Sequence, residues 1–310
     1  MRTLSANREP PPTPTLDNMA SSRYEETLVY PVEDRSPVLK AQLSVDTQNH
    51  LLHRLLMDGD PAPVEVLRPQ GASPFLLSAE HAGRAFPKRL ETLGVSRADL
   101  RRHIAWDIGI AGVTRQLSQR LDAPAVLQTY SRLVVDCNRW PEAEDFVTPF
   151  SEDTEIPGNV GLSDHEVEAR AKEIFHPYHN AIHDLLEERI AQHKKTVLVA
   201  MHSCTPVYLG VSRPWHIGVL YDKDPTFARI LLELLEGEGV LIVGDNEPYF
   251  LTSDKDYAVP VHGERRGIPH VEFEIRQDLI TTESGQTEWA ERLSGVLREA
   301  LGRLRETGEI

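Results

Sequence analysis

Short apolar runs that alternate with helical stretches are the feature that most limits how this chain can fold. The pattern predicts strands near 74–78, 125–128, 197–200, 217–221, 240–243 and 271–275. Helical periodicity occupies much of the sequence between them, notably at 100–120, 163–195, 226–236 and 287–305. Strands that alternate with helices predict an α/β fold with a largely parallel or mixed sheet, in which functional sites lie at strand ends.

Polar clusters follow or overlap three of these apolar runs, at residues 78–83, 131–139 and 200–203. The first contains Glu80 and His81, the second Arg132 and Arg139, and the third His202. Because parallel strands present their carboxyl ends at the same edge of a sheet, we expect the three clusters to meet there. Two lone histidines with an Asn-Arg pair between them suggest a metal hydrolase that binds a carboxylate.

Composition and charge narrow the class of protein. The chain has 310 residues, of which 40% are hydrophobic, enough to bury a full core. Its formal net charge of -15 argues against nucleic acid or an anionic membrane as a partner and leaves a small molecule. With two cysteines, no signal peptide and no apolar run of about 18 residues, we expect a reduced, cytoplasmic protein.

The N-terminal region has its own composition. It is rich in proline and shows little apolar periodicity. We therefore predict a flexible tail over residues 1–45 and a single catalytic domain over residues 46–310. A short amphipathic helix is predicted at 50–57.

The two histidines are candidate metal ligands. Zinc binds neutral histidine nitrogen and carboxylate oxygen, and a catalytic zinc keeps one position for water. His81 and His202 both follow apolar strands and precede small residues, which leaves space for a metal ion. For either histidine taken singly, a hydrogen-bonded core residue is the competing interpretation.

The segment 131–139 contains two arginines around an apolar run that we predict to continue as a strand through 133–135. A buried guanidinium is costly unless it is paired, and Asp136 offers one partner. Asn138 and Arg139 supply planar donors that suit a substrate carboxylate. The competing interpretation is a structural Arg-Asp brace, which we favour for Asp136.

Taken in order, several segments resemble the N-formylglutamate amidohydrolase family. They are residues 80–84 with Pro87, 107–109, 131–139, 244–249 and 274–278, and the resemblance extends over roughly 64–301. It implies a three-layer α/β fold in which helices flank a mixed central sheet, as in the zinc carboxypeptidases and aspartoacylases.

The resemblance also implies roles for individual residues. His81 and His202 match the histidine ligands of zinc or another divalent metal, and Asn138 and Arg139 match the group that binds a substrate carboxylate. We add Arg132 to this substrate-binding group. Glu274 matches the general acid/base, with Glu272 on the same strand face as the alternative.

The third metal ligand departs from the carboxypeptidase pattern. The His-x-x-Glu spacing of those sites would place a glutamate at position 84, where this chain has arginine. We therefore assign the carboxylate ligand to Asp107, with Glu80 as the alternative.

The function that follows is a metal-dependent amidohydrolase cleaving the amide bond of an N-acyl (N-formyl) acidic amino acid such as N-formylglutamate. One alternative is another N-acyl amino acid deacylase or a peptidase. A second alternative is a non-catalytic binding protein that retains the fold, and Arg84 is the feature that favours it.

Overall fold

The structure is a computed structural model that describes residues 54–308 and 310. Its strands are β1 (Val64–Leu67), β2 (Phe75–Ala79), β3 (Ala125–Gln128), β4 (Phe150–Ser151), β5 (Thr154–Glu155), β6 (Val197–Cys204), β7 (Val207–Tyr208), β8 (Val211–Ser212), β9 (Ile217–Leu220), β10 (Val243–Asp245) and β11 (His270–Arg276). Seven of them form one sheet in the order β1-β3-β2-β6-β11-β9-β10. The pairs β4-β5 and β7-β8 form separate hairpins.

Strand direction explains where the polar clusters meet. The neighbours β3, β2, β6 and β11 run parallel to one another, while β1 and β9 pair antiparallel with β3 and β11. The carboxyl ends of four adjacent strands therefore lie at one edge, and the residues that follow them are brought together. The predicted α/β fold with a mixed sheet is confirmed.

Helices cover both faces of this sheet. They are α1 (Ile110–Leu121), α2 (Asp164–Arg170), α3 (His176–Ala191), α4 (Thr226–Gly237), α5 (Ala258–His262) and α6 (Glu283–Glu306). Alternate residues of β6 enter two different cores, since Val197, Val199 and Met201 pack with α1, α4 and α6, whereas Leu198 packs with α3. This alternation is what a strand buried on both faces requires.

The helical run predicted over 163–195 is divided into two helices just before Pro177. Helices α2 and α3 are joined by a π-helical turn at Ala171–Phe175, and Pro177 lies in the first turn of α3. Proline has no amide hydrogen to donate, and the wider turn directly before it accommodates that loss. Ser163 forms a capping box with Glu166 at the start of α2.

Three local predictions differ from the structure. Residues 133–135 are not a strand; a turn at 132–134, in which the Val134 amide donates to the Ser131 carbonyl, brings Arg132 beside Asp136. Residues 54–57 are not helical; the Leu55 amide instead donates to the Glu173 carboxylate, and the rest of that predicted helix lies outside the described residues. The strand predicted at 240–243 is β10, an edge strand of the sheet, and it begins at Val243.

The tail predicted over residues 1–45 lies outside the described residues, so that boundary stays a prediction. Among the helices of the described part of the chain, none is both long and apolar enough to cross a membrane.

Candidate active site

A cavity of about 370 Å³ opens at the edge of the sheet where the parallel strands end. This volume lies in the range of small-molecule sites. The cavity brings together all the predicted site residues, which are His81, Asp107, Arg132, Asn138, Arg139, His202 and Glu274, and it also contains the alternative base Glu272.

The loop after β2 positions His81. Gly83 packs so closely on the backbone beyond β3 that a Cβ atom there would collide with the Thr129 carbonyl, so a larger residue would push the loop away. On the other side, the Asp107 amide donates to the His81 carbonyl at 2.9 Å. These two contacts hold His81 and Asp107 side by side although they lie in different loops.

Three ligand atoms converge at the base of the cavity. His202 Nδ1 lies 3.1 Å from His81 Nδ1 and 3.0 Å from Asp107 Oδ2, and the His81 nitrogen lies 3.7 Å from the same oxygen. Ligands bound to a tetrahedral zinc at its usual bond lengths are about 3.3 Å apart. The donor set and its spacing therefore fit a divalent metal. Among the residues that the structure describes, this is the one group of three buried side chains that can hold such an ion.

The far nitrogen of each histidine is held by a carboxylate. His81 Nε2 lies 2.7 Å from Asp136 Oδ1, and His202 Nε2 lies 2.9 Å from Glu80 Oε2. Such contacts fix the tautomer that leaves Nδ1 free to bind a metal. Glu80 is therefore placed to orient His202, and the geometry favours Asp107 as the carboxylate ligand.

Tyr178, on α3, extends this arrangement into the protein. Its hydroxyl donates to Glu80 Oε1 at 2.9 Å and accepts the Ala79 amide at 3.1 Å. Burial and the neighbouring Glu80 carboxylate raise the pKa of Tyr178, so the phenol keeps the proton it donates. The Glu80 side chain is fully buried, and each of its oxygens has a partner.

Electrostatics at the base of the cavity favour a cation. Burial alone would raise the pKa of Glu80, but the hydrogen bond and charge of His202 lower it to about 2. Burial would lower the pKa of His202, yet Glu272, Asp107 and Glu80 together raise it well above its ordinary value. The surrounding carboxylates thus stabilise positive charge where the histidine nitrogens meet.

Two glutamates of β11 face the same space. Each has one buried carboxyl oxygen with no hydrogen-bond partner among the described residues. Burial raises the pKa of Glu272 to about 8 and that of Glu274 well above its ordinary value, the latter with a contribution from Asp107. The register pairs Glu274 directly with His202, whereas Glu272 lies opposite Ala200. Such perturbed carboxyls are typical of acid/base residues.

The two arginines that line the cavity, Arg132 and Arg139, already form ion pairs within the protein. Arg132 donates to Asp136 Oδ2 at 2.6 Å, in agreement with the Arg-Asp brace that we favoured for Asp136. Arg139 donates to Asp145 and Asp256, each at 2.9 Å.

Asn138 is tied to the start of α5. Its side-chain oxygen accepts the backbone amides of Tyr257 and Ala258, so its amide group is held in one orientation. The oxygen is thereby occupied, and the side-chain NH2 is the part left to act as a donor.

Sequence reasoning missed two partners of these residues. Tyr178 is indicated only as part of a packing face, and nothing in the sequence links it to Glu80, which is 98 residues away. Asp256 likewise gives no signal before the structure places it 2.9 Å from Arg139.

Comparison with known proteins points to one family. The sequence profile described as N-formylglutamate amidohydrolase matches residues 73–281, which include every predicted site residue. No curated protein matches the chain.

Two solved structures are similar to this one. Gene product Atu2144 from Agrobacterium tumefaciens is 36% identical with a TM-score of 0.79, and the match covers 81% of this chain and 100% of that one. The N-formylglutamate amidohydrolase from Ralstonia eutropha JMP134 has the same fold, with 19% identity, a TM-score of 0.59, and coverage of 79% and 100%.

Proposed function

Because the chain belongs to the N-formylglutamate amidohydrolase family, and so to the hydrolases of amide C–N bonds, we propose that it deacylates an acidic N-acyl amino acid such as N-formylglutamate. The observation that carries this proposal is one cavity holding three converging metal-ligand atoms, two buried carboxyl groups and a wall of arginines.

We assign metal binding to His81, Asp107 and His202, with zinc as the preferred ion and a site of the zinc carboxypeptidase kind. A divalent metal supplies Lewis-acid chemistry, polarising a carbonyl and lowering the pKa of water to near 7. Glu80 and Asp136 orient the two imidazoles from their far nitrogens. The protein thereby offers ligands that need little rearrangement.

Proton transfer is assigned to Glu274. In hydrolysis, the oxygen of water bonds to the acyl carbon, the C–N bond breaks, and the amine nitrogen gains a proton. A carboxylate beside the acyl carbon can take the proton from water and pass it to that nitrogen, so one group serves both steps. Glu274 suits this role because it faces the cavity in the same sheet row as His202.

Substrate binding is assigned to Asn138 and Arg139, with Arg132 beside them. Arg132 and Arg139 carry positive charge in the cavity wall, and the Asn138 amide is held in place by the start of α5. Charge-assisted hydrogen bonds from such donors hold a carboxylate in a defined orientation. The substrate carboxylate would compete with Asp256 for the Arg139 guanidinium.

Arg84, the residue that favours a binding protein without catalysis, lies elsewhere in the structure. Its guanidinium is 5.2 Å from the centre of the Trp106 ring, and it does not line the cavity. We assign the missing carboxylate ligand to Asp107, whose carboxylate converges with the two histidines. Arg84 therefore no longer favours the non-catalytic alternative.

The activity has a direct test. Purified protein is expected to release formate and glutamate in equal amounts from N-formyl-L-glutamate, to lose this activity on chelation, and to regain it when zinc is restored. N-acetyl and longer N-acyl glutamates, assayed in parallel, identify the acyl group from the ratio of kcat/KM values. Absence of hydrolysis of all these compounds by zinc-loaded protein would contradict the proposal.

Replacing Arg139 by alanine is expected to raise KM for an acidic substrate by about ten- to a thousandfold, because a charged pair worth about 1.5–4 kcal/mol is lost. Arg265→Ala is the matched control, since Arg265 stacks on Trp140 outside the cavity. Steady-state kinetics of both variants check the prediction. An unchanged KM in Arg139→Ala would remove that residue from substrate binding.

A further inference from the structure

Arg213 has an unusual environment beside the cavity. It follows the β7-β8 hairpin and is only 8% exposed. Its guanidinium lies over two aromatic rings, 4.7 Å from the centre of the Tyr208 ring and 4.4 Å from that of Tyr249. Both tyrosines line the cavity, so the arginine adjoins two of its lining side chains. Contact of this kind with a ring covers a face of the guanidinium and leaves its edges available.

The edges of this guanidinium are only partly used. Nη1 donates to the Tyr249 hydroxyl at 2.8 Å, while Nε and Nη2 have no hydrogen-bond partner in the described part of the chain. Neither of these nitrogens is among the buried unsatisfied atoms, so both reach solvent. The Nε-Nη2 edge is a two-donor fork whose geometry matches a carboxylate.

Charge distinguishes Arg213 from the arginines that line the cavity. Arg132 and Arg139 each have a carboxylate within 3 Å. Arg213 has none within 4.0 Å among residues 54–308 and 310. A largely buried cation without a partner is costly, and a bound anion removes that cost.

We propose that Arg213 binds the side-chain carboxylate of the substrate and so selects acidic over neutral N-acyl amino acids. This inference rests on the proposed function, because it takes the cavity to bind an N-acyl amino acid whose other carboxylate lies at Arg139. Two carboxylates held by two separate arginines would fix the position of the scissile amide. Arg213 is then a specificity-determining residue that makes no contact with the reacting bond.

The test compares two substrates that differ only in this carboxylate, N-formyl-L-glutamate and N-formyl-L-glutamine. Replacing Arg213 by glutamine is expected to lower kcat/KM for the first by about 10- to 100-fold and to change the second by less than about threefold. Arg213→Lys keeps the positive charge but loses the two-donor edge. Its kcat/KM for N-formyl-L-glutamate is expected to lie between those of the wild-type protein and Arg213→Gln. Arg292→Gln is the control, since Arg292 also stacks on a ring, that of Trp289, but outside the cavity.

Binding provides a second readout that does not need catalysis. Calorimetry with L-glutamate and L-glutamine measures the same preference in wild-type and variant proteins, and circular dichroism verifies that each variant is folded. If Arg213→Gln fails to fold, the same comparisons are made with Arg213→Lys. We expect this variant to lose at least half of the free-energy preference for the acidic over the neutral compound.

The outcomes separate this inference from the proposed function. A loss of preference confined to the acidic compound supports the role of Arg213. Equal losses on both compounds, or no change, overturn it even if the enzyme is active. If wild-type protein hydrolyses neither compound, the proposed function fails, and the binding preference alone decides; absence of any preference for L-glutamate would then overturn the inference as well.

Discussion

A variant carrying both His81→Ala and His202→Ala is expected to contain no stoichiometric zinc and to lose at least about a thousandfold in kcat. Two of the three converging ligand atoms disappear, and one remaining carboxylate cannot hold the ion. Stabilisation of transition-state charge by a metal amounts to several kcal/mol, and about 4 kcal/mol corresponds to a thousandfold in rate. Elemental analysis of dialysed protein gives the metal content, and formate release gives the rate.

The matched control for this double variant is His176→Ala with His183→Ala. Both histidines are exposed on α3 and lie outside the cavity, so metal content and rate are expected to stay at wild-type levels. If the His81, His202 double variant kept one metal per chain, the metal would have to be bound elsewhere, and the assigned centre would be wrong.

The second large effect concerns proton transfer. Glu274→Gln is expected to lower kcat by about 10²- to 10⁴-fold with unchanged metal content, because the amide keeps the shape of the side chain but cannot accept a proton. KM is expected to change little, since the carboxylate-binding side chains are untouched.

Glu272→Gln is the comparison that assigns the role. Glu272 lies on the same face of β11 and has a similarly buried carboxyl group, but it is two residues away from the row that contains His202. We expect its substitution to cost less than about tenfold in kcat. The reverse order of the two losses would transfer the acid/base role to Glu272.

The sequence was sufficient to predict that these polar segments meet at one edge of the sheet. Alternation of strands with helices predicted a mixed α/β sheet, and parallel strands carry the residues that follow them to one edge. His81, His202 and the segment 131–139 therefore converge for a topological reason that the apolar pattern already contains. Asp107 could be chosen only from the resemblance to a family. It does not directly follow a strand, so the strand pattern does not predict where it lies.

The partners of these residues could not be predicted in the same way. Whether Glu80 binds a metal or orients His202 depends on which side of an imidazole it faces, and no spacing in the sequence encodes that. The apolar residues 133–135 show a related difficulty, because an apolar run that is buried need not be a strand. They pack in the core on the α3 face of the sheet although they lie in and beside a turn. The sequence did not single out Arg213, because what distinguishes it is the absence of a neighbouring carboxylate among the described residues, which only the structure reveals.

The sheet topology also determines when the site can exist during folding. His81 and His202 are 121 residues apart in the chain, and Glu80 lies 122 residues from the histidine that it orients. Contacts between such distant segments form only after large loops close, and they are the slow steps in the folding of mixed sheets. A partially paired intermediate that lacks β6 lacks His202, one of the three candidate metal ligands. Recovery of metal binding after denaturation therefore reports assembly of the central strands rather than collapse of the chain.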